Sequence, residues 1–194
     1  MKKVVLLIAM LSGSAAGAES RAYCDTIDRI YSRPFLNSSQ FANFVADGSK
    51  IDRIVINKQR RWMYILKEDV VIKAYRIALG KNPIGAKQFA GDYKTPEGTY
   101  TIDGKNLQSE FYKSLHVSYP NAKDVAYARL HGRSPGGLIM IHGFPVSPSA
   151  HRSVQQTHPT LDWTAGCIAV TDREIDEIFS LTKTGTTVEI CKTK

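Results

Sequence analysis

From residue 51 onward the apolar positions follow the spacing of strands. Residues 51–56 form a β-branched run, and Asn57-Lys58-Gln59-Arg60 reads as a turn. Residues 62–66 and 70–79 continue in the same β-rich style until Gly80. Gly91-Asp92-Tyr93-Lys94-Thr95-Pro96-Glu97-Gly98 is dense in turn formers and leads into a further run at 99–102. Residues 138–141 are apolar without interruption, as in a strand covered on both faces, and residues 186–191 supply a last strand. One late segment has the period of a helix. Thr171 and Glu174 form a capping pattern, Ile175, Ile178, Phe179 and Thr182 share a face, and Gly185 stops the run. Ahead of the strands, residues 19–49 carry a helical pattern at Tyr23, Ile27, Ile30 and Tyr31, interrupted by Pro34 and serine-rich turns. The pattern predicts a β-dominated α+β fold: a sheet body at residues 50–194 with one or two packed helices, preceded by a short helical segment at 19–49. The Gly80 to Gly98 stretch, with many turn formers and few core candidates, predicts that part of it forms a mobile loop over the cleft. The pattern shows no repeat or low-complexity tract, and no second domain is expected.

The first residues change the setting. Met1-Lys2-Lys3 is positive, residues 4–11 are apolar, and Ala16-Gly17-Ala18 places small residues where a signal peptidase cuts. The apolar run is much shorter than the roughly 20 residues needed to span a bilayer. Residues 1–18 therefore read as a cleavable signal peptide, which implies export to the periplasm and no membrane span. The formal charge is +8, and it falls to +6 on cleavage because residues 1–18 hold two lysines and no acid. A basic surface favours anionic partners. Export, and the lack of an Arg/Lys block interleaved with aromatics, argue against nucleic acid and leave the wall polymer and its lipid neighbours, or a charge that serves solubility alone. All three cysteines, Cys24, Cys167 and Cys191, lie after residue 18. An odd number in an oxidising compartment suggests one pair and one free thiol, without saying which is single.

Two segments carry chemistry. In Thr164-Ala165-Gly166-Cys167-Ile168-Ala169-Val170 a cysteine stands where a turn meets an apolar strand. In Ile139-Met140-Ile141-His142-Gly143 a histidine emerges from a buried strand. An imidazole beside a thiol activates it as a nucleophile, and Gly166 would let backbone N–H groups approach a developing oxyanion. Gly143 would let the chain turn so that the histidine faces the cysteine. Local chemistry equally describes a small core cysteine and a hydrogen-bonded histidine at a strand end. Neither Cys-x-x-Cys nor His-x-x-x-His occurs, so no metal site is expected.

Ile141-His142-Gly143 followed by Thr164-Ala165-Gly166-Cys167-Ile168 resembles the L,D-transpeptidase catalytic domain, the YkuD-like family. Its hallmark is a His-Gly followed some twenty residues later by Ser/Thr-x-Gly-Cys-Ile/Val. Gly80-Lys81-Asn82-Pro83, Gly91-Asp92 with Thr95-Pro96-Glu97-Gly98, Ser118-Tyr119-Pro120, and Gly132-Arg133 with Pro135-Gly136-Gly137 look like family landmarks in the family order. The likeness covers roughly residues 50–191, and Asp162-Trp163-Thr164 with Ala169-Val170 is similar to the small periplasmic members of Gram-negative bacteria.

The resemblance implies Cys167 as nucleophile and His142 as general base. Gly143 would orient the imidazole through its carbonyl, and Thr164 and Gly166 would shape the oxyanion pocket. His131, His151 and His158 are rivals for the base, and Arg133 is a candidate for holding a substrate carboxylate. Ala165 stands where many members have a second histidine, and Ala169 where many have arginine or asparagine. With Cys167 assigned to catalysis, Cys24 and Cys191 remain to form a disulfide. The implied reaction needs no cofactor: a thioester forms on a peptidoglycan tetrapeptide stem and is transferred to an amine, which could be a stem amine, a lipoprotein lysine or a free D-amino acid. The same site acting with water would be a carboxypeptidase, or an amidase releasing wall-bound lipoprotein. A non-catalytic, basic wall-binding protein on the same scaffold is the alternative from another class.

Overall fold

The computed structural model describes residues 23–26 and 35–193. The expected signal peptide, and Ile27, Ile30 and Tyr31 of the expected helical segment, lie outside the described residues. The body is one eight-stranded sheet: β1 (Arg53–Asn57), β2 (Trp62–Lys67), β3 (Val70–Arg76), β4 (Gly98–Ser109), β5 (Tyr112–Val117), β6 (Met140–His142), β7 (Ile168–Ala169) and β8 (Thr187–Cys191). Their spatial order is β3-β2-β1-β8-β4-β5-β6-β7. The last strand inserts at the centre, parallel to β1 and antiparallel to β4.

The helices are α1 (Ser38–Ala46), α2 (Ala122–Leu130), α3 (Pro148–Thr157) and α4 (Asp172–Leu181). Of these, α4 drives Ile175, Ile178 and Leu181 into the core, while α1 lays Phe41 and Phe44 against it. Helix α4 starts where the sequence indicates, with Thr171 and Glu174 closing a capping box. Helices α2 and α3 bury almost nothing: Ala128 alone in α2, and no residue in α3.

Strands β1 and β2 are buried on both faces. Ile54, Ile56, Met63 and Ile65 enter the main core, whereas Val55, Tyr64 and Leu66 face a second cluster with Tyr23, Val71 and Cys191. This explains their uninterrupted apolar runs. The second cluster is where the chain's beginning meets its end. Cys24 and Cys191 are joined, with Cα atoms 5.0 Å apart, and the Cys24 amide donates to Glu189 at 2.7 Å. The Arg53 guanidinium lies over the Tyr23 ring and pairs with Glu189 at 3.3 Å.

The sheet curls until its two ends meet. Beyond β3 the chain runs on to β7: Ala78 and Ala169 exchange amide–carbonyl bonds of 3.0 and 2.8 Å. Thr164 donates to Leu79 at 3.1 Å and Lys81 donates to Thr164 at 3.0 Å. At this seam the backbones touch. A Cβ on Gly80 would lie 2.1 Å from the Tyr93 carbonyl oxygen, and one on Gly166 would lie 2.6 Å from that of Lys94. Only glycine fits at either position.

The 80–98 loop crosses this seam and is anchored throughout, which argues against the mobile lid expected from its turn formers. Lys58 is fully buried, and its ammonium donates to Gly85 O at 2.7 Å, Thr95 O at 2.9 Å and Glu97 at 2.9 Å. Burial lowers the Lys58 pKa, and the Glu97 carboxylate opposes that shift. Asp92 receives the Lys87 ammonium and the amides of Gln88, Phe89 and Lys94, which together hold its carboxyl below the usual range against the effect of burial. The loop is a collar.

Two outcomes follow from these anchors. Lys58→Met leaves three buried acceptors without their cation, so urea denaturation should show a loss of about 3–5 kcal/mol, with amide exchange rising first between Gly85 and Glu97. Thiol titration of denatured, unreduced protein should count one free thiol. Reduction should then lower the melting temperature, because a bridge across 167 residues contributes about 4–5 kcal/mol in the chain-entropy picture.

Candidate active site

The face opposite the core brings Cys167 and His142 onto one surface. Ile139 and Ile141 on one strand, and Ile168 and Val170 on the next, point into the main core. Alternation therefore turns Met140, His142, Cys167 and Ala169 to the other side. Strands β6 and β7 are parallel, with Ile141 opposite Ile168 and His142 opposite Ala169, so Cys167 and His142 stand on adjacent strands two positions apart.

His142 is 2% exposed, and its Nδ1 lies 2.7 Å from the Gly143 carbonyl oxygen. A carbonyl can only accept, so Nδ1 carries the proton and Nε2 keeps its lone pair. The ring packs between Phe111 and Trp163, at centroid distances of 4.4 and 5.6 Å. Burial in this aromatic setting lowers the pKa from 6.5 to about 4, the Gly143 bond pulls it up, and neighbouring His158 pushes it down. The imidazole is thus neutral at neutral pH.

Cys167 is unpaired and half-buried. Its thiol donates to the Leu138 carbonyl at 3.4 Å. Burial pushes the thiol pKa up, countered by a bond from the Met140 amide and by the positive charge of Lys87. Burial thus disfavours the charged form of both groups.

The turn before Cys167 is fastened at both ends. The Thr164 hydroxyl donates to Cys167 O at 2.8 Å and accepts from the Gly166 amide at 3.1 Å. The Gly166 N–H is therefore engaged inside the turn, and its missing Cβ makes room for Lys94 rather than for a substrate oxygen. Upstream, Asp162 receives the Arg61 guanidinium, at 2.6 Å from Nη2, and the Leu79 amide at 2.9 Å. Ala165 is exposed, and Ala169 is fully buried at the bridge with Ala78.

The other candidates lie apart from the pair or behind it. The Arg133 guanidinium stacks 4.0 Å above the Phe89 ring and has an exposed setting. His131 caps α2 and is bonded to the Tyr127 carbonyl at 2.8 Å. His151 and His158 pack edge-on against Phe144, behind His142. Burial lowers the His158 pKa to about 4 as well. Leu138, expected inside a buried strand, is instead 73% exposed with a φ of 56°. That left-handed backbone is costly for a branched residue, and here it belongs to the residue whose carbonyl meets the thiol.

Sequence reasoning missed Phe111, whose place beside His142 follows from β4 and β5 forming a hairpin, and assigned Asp172 only to a helix start. Asp172 accepts the Phe144 amide at 2.7 Å, directly behind Gly143. Its residue type and its position one after a helix cap were legible; its partner was not.

The model of the YkuD L,D-transpeptidase catalytic domain matches residues 51–190. YafK of Escherichia coli K12, provisionally named an L,D-transpeptidase, is 29% identical over 185 residues, covering 92% of this chain and 63% of its own length. This chain thus spans less than two thirds of that relative. Among solved structures, the helical cell shape determining protein Pgp2 of Campylobacter jejuni, as its K307A mutant, aligns with a TM-score of 0.53 at 23% identity, covering 75% of this chain and 49% of that one. Bd1075 of Bdellovibrio bacteriovorus aligns at 0.50 and 21%, covering 74% and 49%. The strand order, the seam and the His-Gly and Thr-x-Gly-Cys segments thus stand within a match that takes in most of the chain, and the protein belongs to the YkuD L,D-transpeptidase catalytic domain family.

Proposed function

We propose that this protein is an exported cysteine L,D-transpeptidase acting on peptidoglycan tetrapeptide stems in the periplasm, with Cys167 as nucleophile and His142 as base. The observation that carries the reading is the buried His142 held in its Nδ1–H tautomer by Gly143, one strand away from an unpaired, half-buried thiol.

In this scheme the thiol attacks the carbonyl that joins the L-centre of the third stem residue to the terminal D-alanine. As the S–C bond forms, the sulfur's proton passes to His142 Nε2. The C–N bond then breaks, D-alanine leaves with that proton, and a thioester remains on Cys167. An acceptor amine gives its proton to the same nitrogen, forms the new amide and expels the sulfur as leaving group, which is reprotonated. The positive charge that visits the imidazole is met at Nδ1 by the Gly143 carbonyl. The Met140 amide supports the sulfur when it carries negative charge. Thr164 acts by fixing the turn that presents Cys167.

Incubating purified protein with a disaccharide-tetrapeptide and analysing the products by mass should yield cross-linked dimers and free D-alanine. Trimmed monomers alone would identify a hydrolase on the same thioester. No product and no covalent adduct with a carbapenem would leave a wall-binding protein.

Cys167→Ala should abolish both turnover and adduct while the fold persists, as circular dichroism would show. His142→Ala should slow acylation by about 10²–10⁴-fold, with His131→Ala and Arg133→Ala affecting it far less. The pH dependence has a definite sign. The folded His142 releases its proton near pH 4, so kcat/KM should hold down through pH 6 and fall only toward about 4. Stability behaves differently. The unfolded chain protonates its histidines near 6.5 while folded His142 and His158 stay neutral to about 4, so the melting temperature should decline across that window on acidification.

A further inference from the structure

We propose that Asp172 is a positioning residue for His142, acting through the Gly143–Phe144 peptide unit. The inference rests on His142 being the base of the reaction described above. One peptide unit carries both bonds. Its carbonyl, from Gly143, accepts the His142 Nδ1 proton at 2.7 Å, and its N–H, from Phe144, donates to Asp172 Oδ1 at 2.7 Å. These two groups point in opposite directions across a rigid plane. Fixing the N–H on the carboxylate therefore aims the carbonyl at the imidazole.

The surroundings leave the unit little other freedom. The Gly143 amide donates to the Lys113 carbonyl at 3.2 Å, tying the preceding peptide to β5. A Cβ on Gly143 would lie 2.6 Å from Asp172 Oδ1 and 3.1 Å from Ile175 Cγ2. Glycine is thus needed after the histidine because α4 presses against it at the point where Asp172 sits. Asp172 is itself placed by the start of that helix, one residue after the Thr171 cap. The strand that carries the base and the helix that closes the core are joined here by one carboxylate.

The groups around the pair are few. His151 Nδ1 is 3.9 Å from Asp172 Oδ2. His158 acts on His142 electrostatically from the end of α3, and Phe111 and Trp163 meet the His142 ring without charge. Charge-assisted bonds such as the one from Phe144 to Asp172 also polarise the peptide they hold, which makes its carbonyl a better acceptor. The geometry needs only an acceptor at Oδ1, and an asparagine can supply one.

The test compares wild type, Asp172→Asn and Asp172→Ala by two readouts. The first is the tautomer of His142, read from ¹⁵N imidazole shifts of the folded protein across a pH titration. The second is kcat and KM for transfer from the tetrapeptide. Asp172→Ala should mix the two His142 tautomers and lower kcat by about 10–100-fold, the range seen when the partner orienting a functional histidine is removed, with KM within about twofold. Asp172→Asn should keep the Nδ1–H tautomer and most of kcat. An alanine variant with wild-type tautomer and kcat would overturn the proposal, as would an asparagine variant impaired as deeply as the alanine one. If wild type transfers nothing from the stem but Asp172→Ala still scrambles the tautomer, the reading of the reaction fails while the role of Asp172 stands.

Discussion

The structure depends on a backbone contact with no room for a side chain on either partner. Where the chain leaving β3 meets the turn before β7, Gly80 and Gly166 let two carbonyls, those of Tyr93 and Lys94, enter the space a Cβ would fill. That approach closes the curl of the sheet, and it sets the Cys167 turn between the collar on one side and β6 on the other. The collar is held in turn by Lys58, whose charge has no solvent and is answered by Glu97 and two carbonyls. The thiol's position is thus the end point of a chain of close contacts beginning at a buried lysine more than a hundred residues earlier in sequence.

Around that contact the two halves of the site have different origins. Cys167 is fixed by its own turn: Thr164 bonds both ends of it within three residues. His142 is fixed by things far away in sequence, the Phe111 hairpin tip, Trp163 and α4. This division explains the electrostatics. The aromatic enclosure that holds the imidazole also dries it, and burial likewise pushes the Cys167 thiol pKa up.

The strands and α4 were legible because they obey burial. The runs at 54–56 and 62–66 are apolar on both faces because Tyr23 and Cys191 cover the side away from the core, and α4 shows its core face at Ile175 and Ile178. Helices α2 and α3 were not legible, since a helix that buries one alanine or nothing leaves no stripe to read. Strand β5 and the far half of β4 were missed for a similar reason: partly exposed positions and bulges at residues 102–104 and 106–109 break the alternation. The turn formers at 80–98 suggested looseness because composition cannot reveal Lys58, which anchors them from the turn after β1. Likewise, the motifs pointed to Cys167 and His142, but the engagement of the Gly166 amide by Thr164 and the part of Asp172 exist only in three dimensions.

The joined Cys24 and Cys191 share a molecule with an unpaired thiol. An oxidising environment that closes one bond threatens the other sulfur, since exchange begins with a thiolate. Burial answers that threat kinetically. By keeping the proton on Cys167 it lowers the fraction of molecules able to attack a passing disulfide or to be oxidised toward sulfenic acid. The bonded pair meanwhile sits at β8 in its own apolar cluster with Tyr23 and Val55, three strands along the sheet from β6. One chain can in this way carry a permanent crosslink and an unpaired sulfur side by side.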